Sequence, residues 1–229
     1  MFFTDRGDAG RQLARQLEKY RRDQPVVLGL ARGGVPVAAE IAAALGAPLD
    51  VLVVRKIGAP IQPELALGAV AGGTVWLNEQ MIDALGVSRE SLDRIVALES
   101  AEAQRREALY RLNRPPIPVE GRTVIVVDDG LATGATSSAA LRALRRQNPG
   151  RLIFAAPVCS VEGAELMRRE ADDMVCHHQP VDFFAVSQAY GRFDQVGDDE
   201  VRRALESAAT MTAGRELRHA TSHRRNPGS

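Results

Sequence analysis

Two adjacent carboxylates, Asp128 and Asp129, lie between a run of β-branched residues and a loop of small residues. Residues 124–127, which precede them, read Val-Ile-Val-Val, a run that is typical of a buried strand in a parallel sheet. Residues 130–136, which follow them, contain two glycines and two threonines, and a helical pattern starts at Ser138. The spacing therefore predicts a strand, an acidic pair, a loop and a helix, in that order.

This arrangement suits a ligand that carries a phosphate beside a polyol. Small side chains let a ligand approach the backbone, and the N–H groups that open a helix attract an anion. Thr133 and Thr136 add hydroxyl donors to the same loop. Asp128 and Asp129 would repel the phosphate, so they must face sugar hydroxyls or a cation such as Mg²⁺. An ordinary turn with a chance acidic pair is the alternative, but the fixed order of the parts favours a site for ribose 5-phosphate.

Residues 124–136 resemble the motif with which type I phosphoribosyltransferases bind phosphoribosyl pyrophosphate (PRPP). The resemblance implies that Asp128 and Asp129 hold the ribose hydroxyls, while Mg²⁺ bridges the ribose and the pyrophosphate. It assigns no direct protein ligand to the metal ion, and Asp128 is the one candidate contact. Gly130 departs from the family, which usually carries an aliphatic residue there. The residues that the resemblance assigns to the 5-phosphate are Ala132, Thr133, Gly134, Ala135 and Thr136.

A second glycine-rich turn follows another apolar strand. Residues 26–30, Val-Val-Leu-Gly-Leu, precede Ala-Arg-Gly-Gly, and a helical pattern begins at Val35. Such a turn exposes backbone amides to an anion, although taken alone it is equally typical of a tight connection between strand and helix. It resembles the pyrophosphate loop of the same family, which implies that Arg32, Gly33 and Gly34 contact pyrophosphate.

Two cations, Arg55 and Lys56, end a third predicted strand, residues 49–54. At the carboxyl end of a central parallel strand they would point towards the ligand crevice, although basic residues there often only reach solvent. The pair resembles the Arg-Lys of several family members, which implies that Lys56, and less directly Arg55, binds pyrophosphate. Residues 57–73, rich in Gly and Pro, stand where the family carries its mobile catalytic loop, whose closure would exclude water.

The acceptor pocket is expected in residues 173–190. Their order, Asp-Met-Val, Pro, Phe-Phe-Ala-Val and Tyr, resembles the nucleobase region of hypoxanthine-guanine phosphoribosyltransferase, which implies that Met174 and Val175 line the pocket. A methionine in place of a stacking aromatic residue leaves room for an acceptor other than a purine. His177 and His178 project to different sides of any regular element, which argues against shared metal ligation and leaves a place beside the acceptor as the alternative.

The composition argues against several classes of protein. Lys plus Arg and Asp plus Glu are equal at 29 each, so no global field favours nucleic acid or a membrane. Aromatic residues make up only 4% of the chain, which argues against a stacking platform for single strands. The longest apolar stretches have the length of strands, and charge follows the N-terminus, so we expect neither a transmembrane helix nor a signal peptide. Cys159 and Cys176 lack metal-ligand spacing, which favours reduced, buried thiols in a cytoplasmic protein.

The order of elements predicts an α/β fold, with a mostly parallel central sheet, helices on both faces and a small hood. We expect one domain over residues 1–210, with a helical insertion over residues 75–116. The insertion contains a charged helix from Arg89 to about Leu112, either solvated or the arm of a homodimer.

Both ends of the chain have simpler patterns. Asp8 is expected to cap a first, packing helix, and a last helix is expected over residues 199–208. Residues 211–229 are basic and lack apolar periodicity, so we expect a disordered tail.

By this resemblance the chain transfers phosphoribose from PRPP to a nitrogenous acceptor such as a nucleobase, with Mg²⁺ as cofactor and release of pyrophosphate. Two alternatives stay open. One is a non-catalytic protein that binds PRPP or a nucleotide and regulates RNA or a protein partner, and the other is a hydrolase with water as the acceptor. Balanced charge argues against a nucleic-acid partner. The residues expected to act in catalysis are Asp128, Asp129, Arg32 and Lys56.

Overall fold

The structure, a computed structural model, describes residues 2–62 and 65–223. The strands are β1 (Val26–Leu30), β2 (Leu49–Leu52), β3 (Val54–Gly58), β4 (Ala66–Ala71), β5 (Thr74–Leu77), β6 (Thr123–Val127), β7 (Arg151–Val158) and β8 (Asp173–His178). The helices are α1 (Arg6–Leu17), α2 (Gly34–Leu45), α3 (Glu79–Ala84), α4 (Arg89–Arg111), α5 (Ala135–Arg145), α6 (Val161–Glu170) and α7 (Asp198–His223). Two short 3₁₀ segments, Glu18–Asp23 and Val186–Ala189, complete the order.

Five parallel strands form the central sheet, in the order β2-β1-β6-β7-β8. In its middle, Gly29 of β1 pairs with Val127 of β6, which in turn pairs with Ala155 of β7. These three strands are almost entirely buried, because α1, α2, α4 and α7 pack on one face and α5 and α6 on the other. The predicted α/β fold is therefore confirmed, and the turns after β1, β6 and β7 meet at the carboxyl edge of the sheet.

A small apolar cluster corresponds to the predicted hood. It joins Phe3, near the N-terminus, to Ala189 and Tyr190, close to Val158 at the carboxyl end of β7. The backbone supports the same contact, because the N–H of Gly191 donates to the carbonyl of Phe3 at 2.8 Å. The N-terminal residues and the segment before α7 thus meet above the edge of the sheet where the predicted site lies.

A second, antiparallel sheet places Arg55 and Lys56 differently from the prediction. The single strand expected over residues 49–54 is divided into β2, in the parallel sheet, and β3, which pairs with β4. Arg55 and Lys56 lie within β3, opposite Val70 and Ala69, rather than at the carboxyl end of a central strand. The apolar run continues across the division, so no residue type marks the point where the chain changes sheets.

The segment over residues 57–73 is not one long loop. Residues 66–71 form β4, whose side chains are buried from Leu67 onwards. Gly68 allows a close approach, because a Cβ there would lie 2.2 Å from the carbonyl oxygen of Trp76 on β5. Gly72 and Gly73 both have positive φ, as a two-residue hairpin turn requires. The glycines therefore build a hairpin, and residues 63–64 lie outside the described residues.

Helix α4 has the predicted bounds but is not a solvated arm. The Ser88 hydroxyl caps its start by accepting from the Ser91 N–H at 3.3 Å. Leu92, Ala103 and Tyr110 are buried, because the helix packs against β3, β4 and α7 of its own chain. The homodimer stays a prediction.

A buried charge network fastens the end of α4 to β2. The Arg111 guanidinium donates to the carboxylates of Asp50 and Glu107, each at 2.8 Å, and to the Val51 carbonyl at 2.9 Å. The second Asp50 oxygen accepts from the N–H of Ile117 at 3.0 Å. A buried carboxylate without a cation is costly, so Arg111 keeps two carboxylates in the interior tolerable.

The two end helices differ in detail from the expectation. Asp5, not Asp8, caps α1, because its carboxylate accepts from the Asp8 N–H at 3.0 Å. Helix α7 runs to residue 223, so the last helix does not end at residue 208 as expected. The expected disorder beyond the domain stays a prediction. Alanine, methionine, glutamate and arginine favour a helix there even without an apolar period. Residues 224–229 lie outside the described residues.

Two further expectations concern membranes and thiols. Within residues 2–62 and 65–223, no helix combines the length and the apolar character that crossing a bilayer requires. Cys159 is buried, as expected, whereas Cys176 is only half-buried, and both are free thiols.

Removal of Arg111 from the charge network should cause a large loss of stability, and removal of an exposed arginine on the same helix should not. Arg111→Ala should lower the free energy of unfolding by about 3–5 kcal/mol, because it leaves Asp50 and Glu107 buried without a cation. Urea unfolding measures the loss. The matched control is Arg105→Ala on the same helix, where the side chain is exposed and pairs with Glu102, and we expect little change. Equal losses in the two variants would contradict the importance of the network.

Candidate active site

The acidic pair, Asp128 and Asp129, lies directly after β6, as the sequence pattern predicts. The Asp128 N–H donates to the Ala155 carbonyl at 3.1 Å, which continues the pairing with β7 for one more residue. One Asp128 carboxylate oxygen accepts from the Ser137 hydroxyl of α5 at 3.1 Å. The other accepts from the Asp129 N–H at 2.9 Å. Asp128 is therefore fixed to the start of the helix that follows the predicted phosphate loop.

The loop between β6 and α5 is fastened to β7. The Leu131 N–H donates to the Val158 carbonyl, and the Leu131 carbonyl accepts from the Ser160 N–H, both at 2.8 Å. Gly134 has a φ of 74°, which permits the sharp entry into α5 at Ala135. The first N–H groups of a helix have no partner within the helix and are available to an anion. Gly134 is buried, whereas the other residues predicted to bind the 5-phosphate are exposed: Ala132, Thr133, Ala135 and Thr136.

The departure at Gly130 has a steric cause. A Cβ at this position would lie 2.3 Å from the Cγ1 atom of Val186, so a larger residue would displace the segment that follows β8. The glycine therefore lets residues 183–193 close against the loop.

The two acidic side chains differ in their electrostatic surroundings. Burial and the neighbouring Asp129 charge raise the pKa of Asp128 to about 7. Burial also raises the pKa of Asp129, but the Arg6 guanidinium opposes that rise. Arg6 Nε lies 2.8 Å from Asp129 Oδ2, and both side chains are largely buried. The pair thus contains one carboxylate with a cation beside it and one that is easily protonated.

Arg6 belongs to the site although no local pattern pointed to it. Its Nη1 atom donates to the Asp194 carbonyl at 2.8 Å, and its guanidinium lies 4.0 Å from the centre of the Phe193 ring. Phe193 stacks on Tyr190, whose hydroxyl donates to the backbone carbonyl of Asp129 at 2.5 Å. These contacts connect α1, the hood and the acidic pair in a closed ring. The predicted helix cap nearby was Asp8, two residues after Arg6, and it gave no indication of the contact with Asp129.

The second glycine-rich turn meets the acidic pair directly. A Cβ on Gly33 would lie 2.0 Å from Asp129 Oδ2, and one on Gly34 would lie 2.4 Å from the Val127 carbonyl oxygen. Only glycine tolerates such proximity. The turn and the acidic pair can therefore lie in direct contact, because neither Gly33 nor Gly34 has a side chain. The peptide bond between Ala31 and Arg32 is cis.

A cavity of about 540 Å³ opens between these motifs. The charged side chains of Arg6, Arg32 and Asp129 line it, and Val186 and Phe193 add apolar walls. Its size is within the range of small-ligand sites. The structure therefore brings Asp129 of the acidic pair together with Arg32 and Gly33 of the predicted pyrophosphate turn at the edge of one cavity.

Several predicted residues do not line this cavity. Asp128 and Gly34 are next in sequence to residues that do, and the predicted phosphate loop, residues 132–136, is not part of its lining. Arg55 forms an ion pair with Glu99 of α4 at 2.7 Å, and Lys56 is exposed on the same antiparallel strand.

Met174 and Val175 also lie elsewhere, because both are on β8, which pairs with β7. Val175 is buried in the core on the side of α1, and Met174 packs on the opposite face. They do not line the cavity beside Asp129, whose apolar walls are Val186 and Phe193, and their place beside an acceptor stays a prediction. On the same strand, His177 contacts Gln16 and Phe3, and His178 contacts Phe2.

The carboxylates fit a metal ion that arrives with a ligand. The described part of the chain contains no group of three or more His, Cys, Asp and Glu residues arranged to hold a metal. Asp128 and Asp129 supply oxygen, the ligand that Mg²⁺ prefers, and Arg6 already occupies one oxygen of Asp129. Mg²⁺ commonly takes one or two carboxylates together with substrate phosphates, which matches this donor set.

Comparison with known proteins agrees with this geometry. The profile of the phosphoribosyl transferase domain matches residues 4–192, which include both glycine-rich turns and the acidic pair. The chain belongs to the phosphoribosyl transferase family. The resemblance seen in residues 124–136 is thereby confirmed at the level of the family.

Two curated relatives and two solved structures extend the comparison. "Putative phosphoribosyl transferase Rv0571c" and "Putative phosphoribosyl transferase MT0597", from two strains of Mycobacterium tuberculosis, are each 45% identical over 207 residues, which is 90% of this chain and 47% of theirs. The chain thus spans about half the length of these relatives. The crystal structure of TT1426 from Thermus thermophilus matches with a TM-score of 0.81 and 42% identity, over 90% of this chain and 98% of that one. A Neisseria gonorrhoeae protein with bound ppGpp shares the fold, with a TM-score of 0.51 and 14% identity over 90% of this chain and 96% of that one.

The raised pKa of Asp128 predicts a pH-dependent stability. The folded protein holds this proton more tightly than the unfolded chain does. The contribution of the proton to the free energy of unfolding is therefore complete below pH 4 and is lost as the pH rises through 7. Asp128→Asn removes the titration. It should reduce the difference in unfolding free energy between pH 5 and pH 8 by about 2–3 kcal/mol. Urea unfolding at both pH values tests this, with the exposed Asp83→Asn as control, and an unchanged difference in the Asp128 variant would contradict it.

Arg6 should stabilise the fold through its contact with Asp129. Arg6→Gln leaves a largely buried carboxylate without its cation, and we expect a loss of about 1–3 kcal/mol in unfolding free energy. Arg11→Gln on the same helix is the matched control, because Arg11 forms a more exposed pair with Glu40. Chemical denaturation compares the two, and a loss in Arg6→Gln no larger than that of the control would refute the role.

Proposed function

We propose that this protein transfers phosphoribose from PRPP to a nitrogenous acceptor and releases pyrophosphate. The observation that carries the proposal is the meeting of three parts at one edge of the sheet: the acidic pair, the loop before α5 and the turn over residues 32–34. The close approach of Gly33 to Asp129 supports the idea that one ligand reaches both motifs. A sugar that carries a phosphate at one end and a pyrophosphate at the other fits this arrangement.

The 5-phosphate is assigned to the loop that ends at Thr136. Its exposed residues leave room for a ligand, and the first amides of α5 face an anion favourably. The ribose hydroxyls are assigned to Asp128 and Asp129, because carboxylates accept hydrogen bonds from hydroxyl groups. Ser137, one residue after Thr136, already contacts Asp128 at 3.1 Å, which supports adjacent sites for phosphate and ribose.

The leaving pyrophosphate is assigned to Arg32, Gly33 and Gly34. The Arg32 guanidinium is fully charged and offsets the negative charge that develops on the pyrophosphate as its bond to the sugar breaks. Mg²⁺, when bound with PRPP, supplies further positive charge for the same group. The earlier assignment of Arg55 and Lys56 to pyrophosphate receives no support from their position on β3, and the mechanism does not use them.

The acidic pair has a second task in this reaction. Loss of pyrophosphate leaves positive charge on the ribose, and ionised carboxylates beside it lower the energy of that state. The Arg6 contact favours the ionised form of Asp129, whereas Asp128 needs a pH above about 7 to be mostly ionised without ligand. Positioning and electrostatics therefore carry the catalysis, without a protein nucleophile.

The acceptor is assigned to the part of the cavity next to Val186 and Phe193. These apolar walls suit a flat heterocycle, and they limit the access of water to the activated sugar. The class of acceptor proposed is a nitrogenous base or amine.

Pyrophosphate release from PRPP and Mg²⁺ tests the function across a panel of purines, pyrimidines and amines. We expect release that depends on one class of acceptor. The variant with both Asp128→Asn and Asp129→Asn should lose this activity by at least about 10³-fold while keeping its fold by circular dichroism, whereas exposed Asp83→Asn should keep the activity. Release without any acceptor would indicate a hydrolase. PRPP binding without release would indicate a regulator, and either result would refute the transferase.

A further inference from the structure

The two longest helices meet at the pyrophosphate turn through one carboxylate. Asp198 is the first residue of α7, and its Oδ1 atom lies 3.6 Å from Nη1 of Arg32. The same Oδ1 atom accepts a hydrogen bond of 2.8 Å from the hydroxyl of Tyr110 on α4. A continuous series of contacts therefore runs from α4 through α7 to Arg32.

The two ends of this series differ in their freedom to move. Tyr110 is 2% exposed and lies among the buried residues between α4 and α7, so its hydroxyl is held in place. Burial and the contact with Asp198 raise the pKa of Tyr110 to about 12, so the phenol keeps the proton that it donates. The Arg32 side chain, in contrast, is 35% exposed and lines the cavity. A fixed donor thus holds a carboxylate beside an arginine that would otherwise sample several rotamers.

We propose that Asp198 is a positioning residue, which with Tyr110 holds the Arg32 guanidinium at the cavity so that it binds the pyrophosphate group of PRPP. The inference rests on the proposed function, because it assumes that pyrophosphate enters this cavity. It also gives the helical insertion a part in the reaction, since Tyr110 belongs to α4.

The shape of the guanidinium allows both contacts at once. Arginine has five N–H donors in a planar fork, so one edge can stay with Asp198 while another faces an anion. Arg32 lines the cavity and Asp198 does not, which places the carboxylate behind the guanidinium rather than between it and the ligand. Because Tyr110 retains the same oxygen atom, the carboxylate stays in that place when the ligand arrives.

A competing role for Asp198 leads to the opposite result. A carboxylate close to bound pyrophosphate would repel it, and its removal would then strengthen binding. The half-exposed pair has only a modest free energy, so the effect of a substitution in either direction is a small factor. The sign of the change therefore decides between the two roles.

Calorimetric titration of the full chain with pyrophosphate and Mg²⁺ tests the proposal. Asp198→Asn should weaken pyrophosphate binding by about threefold to fivefold and raise the KM for PRPP by a similar factor. Because Arg32 also offsets the charge that develops on the leaving pyrophosphate, kcat at saturating PRPP should fall as well, by no more than the same factor. Tyr110→Phe keeps the carboxylate and removes its hydrogen bond, so it should give a smaller change in the same direction. The matched control is Asp199→Asn, which removes the same charge from the first turn of α7 at a residue that pairs with Arg202.

A double substitution shows whether Asp198 acts through Arg32. In the Arg32→Ala background, Asp198→Asn should cause no further loss, because the group that it positions is gone. A further loss of the full factor would overturn the proposal. Binding in Asp198→Asn that equals or exceeds that of the unaltered protein would also overturn it. If the unaltered protein binds no pyrophosphate with Mg²⁺, the proposed function is wrong and the positioning role falls with it.

Discussion

Two carboxylates that share one crevice must find positive charge or become easier to protonate, and this constraint shapes the site. Asp129 has the Arg6 guanidinium at 2.8 Å, whereas Asp128 accepts hydrogen bonds from the Ser137 hydroxyl and the Asp129 N–H and has a pKa raised to about 7. The cation comes from α1, and Phe193 and the Asp194 carbonyl hold it in place. The first helix and the hood are therefore needed for the charge state of the acidic pair.

A steric constraint complements the electrostatic one. The turn after β1 lies so close to the end of β6 that Gly33 and Gly34 have no room for a Cβ atom. On the other side of the acidic pair, Gly130 has no room for one because of Val186. Parallel strands bring their carboxyl ends to one edge, and the glycines then let the backbones come close enough for one ligand to reach both turns.

Structural features that depend on neighbouring residues in the chain could be predicted from the sequence. Features that depend on contacts between distant segments could not. The strand, acidic pair and helix around Asp128 follow from local patterns, as does the start of α4 at Ser88. Arg6 was missed because it reaches Asp129 across 123 residues. The hairpin after β2 was missed because Gly and Pro are typical of loops, although here the glycines permit close strand pairing. Met174 was assigned to the pocket by its position in the chain, whereas in the structure it lies on β8, which pairs with β7.

Asp129 and Arg32, which are both assigned to PRPP, each form an ion pair within the protein. The two ion pairs differ in their exposure to solvent and in their length. Arg6 and Asp129 are 12% and 15% exposed, whereas Arg32 and Asp198 are 35% and 49% exposed at a longer distance. A pair withdrawn from water resists exchange of partners, while an exposed pair has little free energy to lose. A ligand should therefore find a rigid acidic pair on the ribose side and an adaptable guanidinium on the pyrophosphate side. That asymmetry suits a reaction in which the sugar must stay in place while its leaving group moves away.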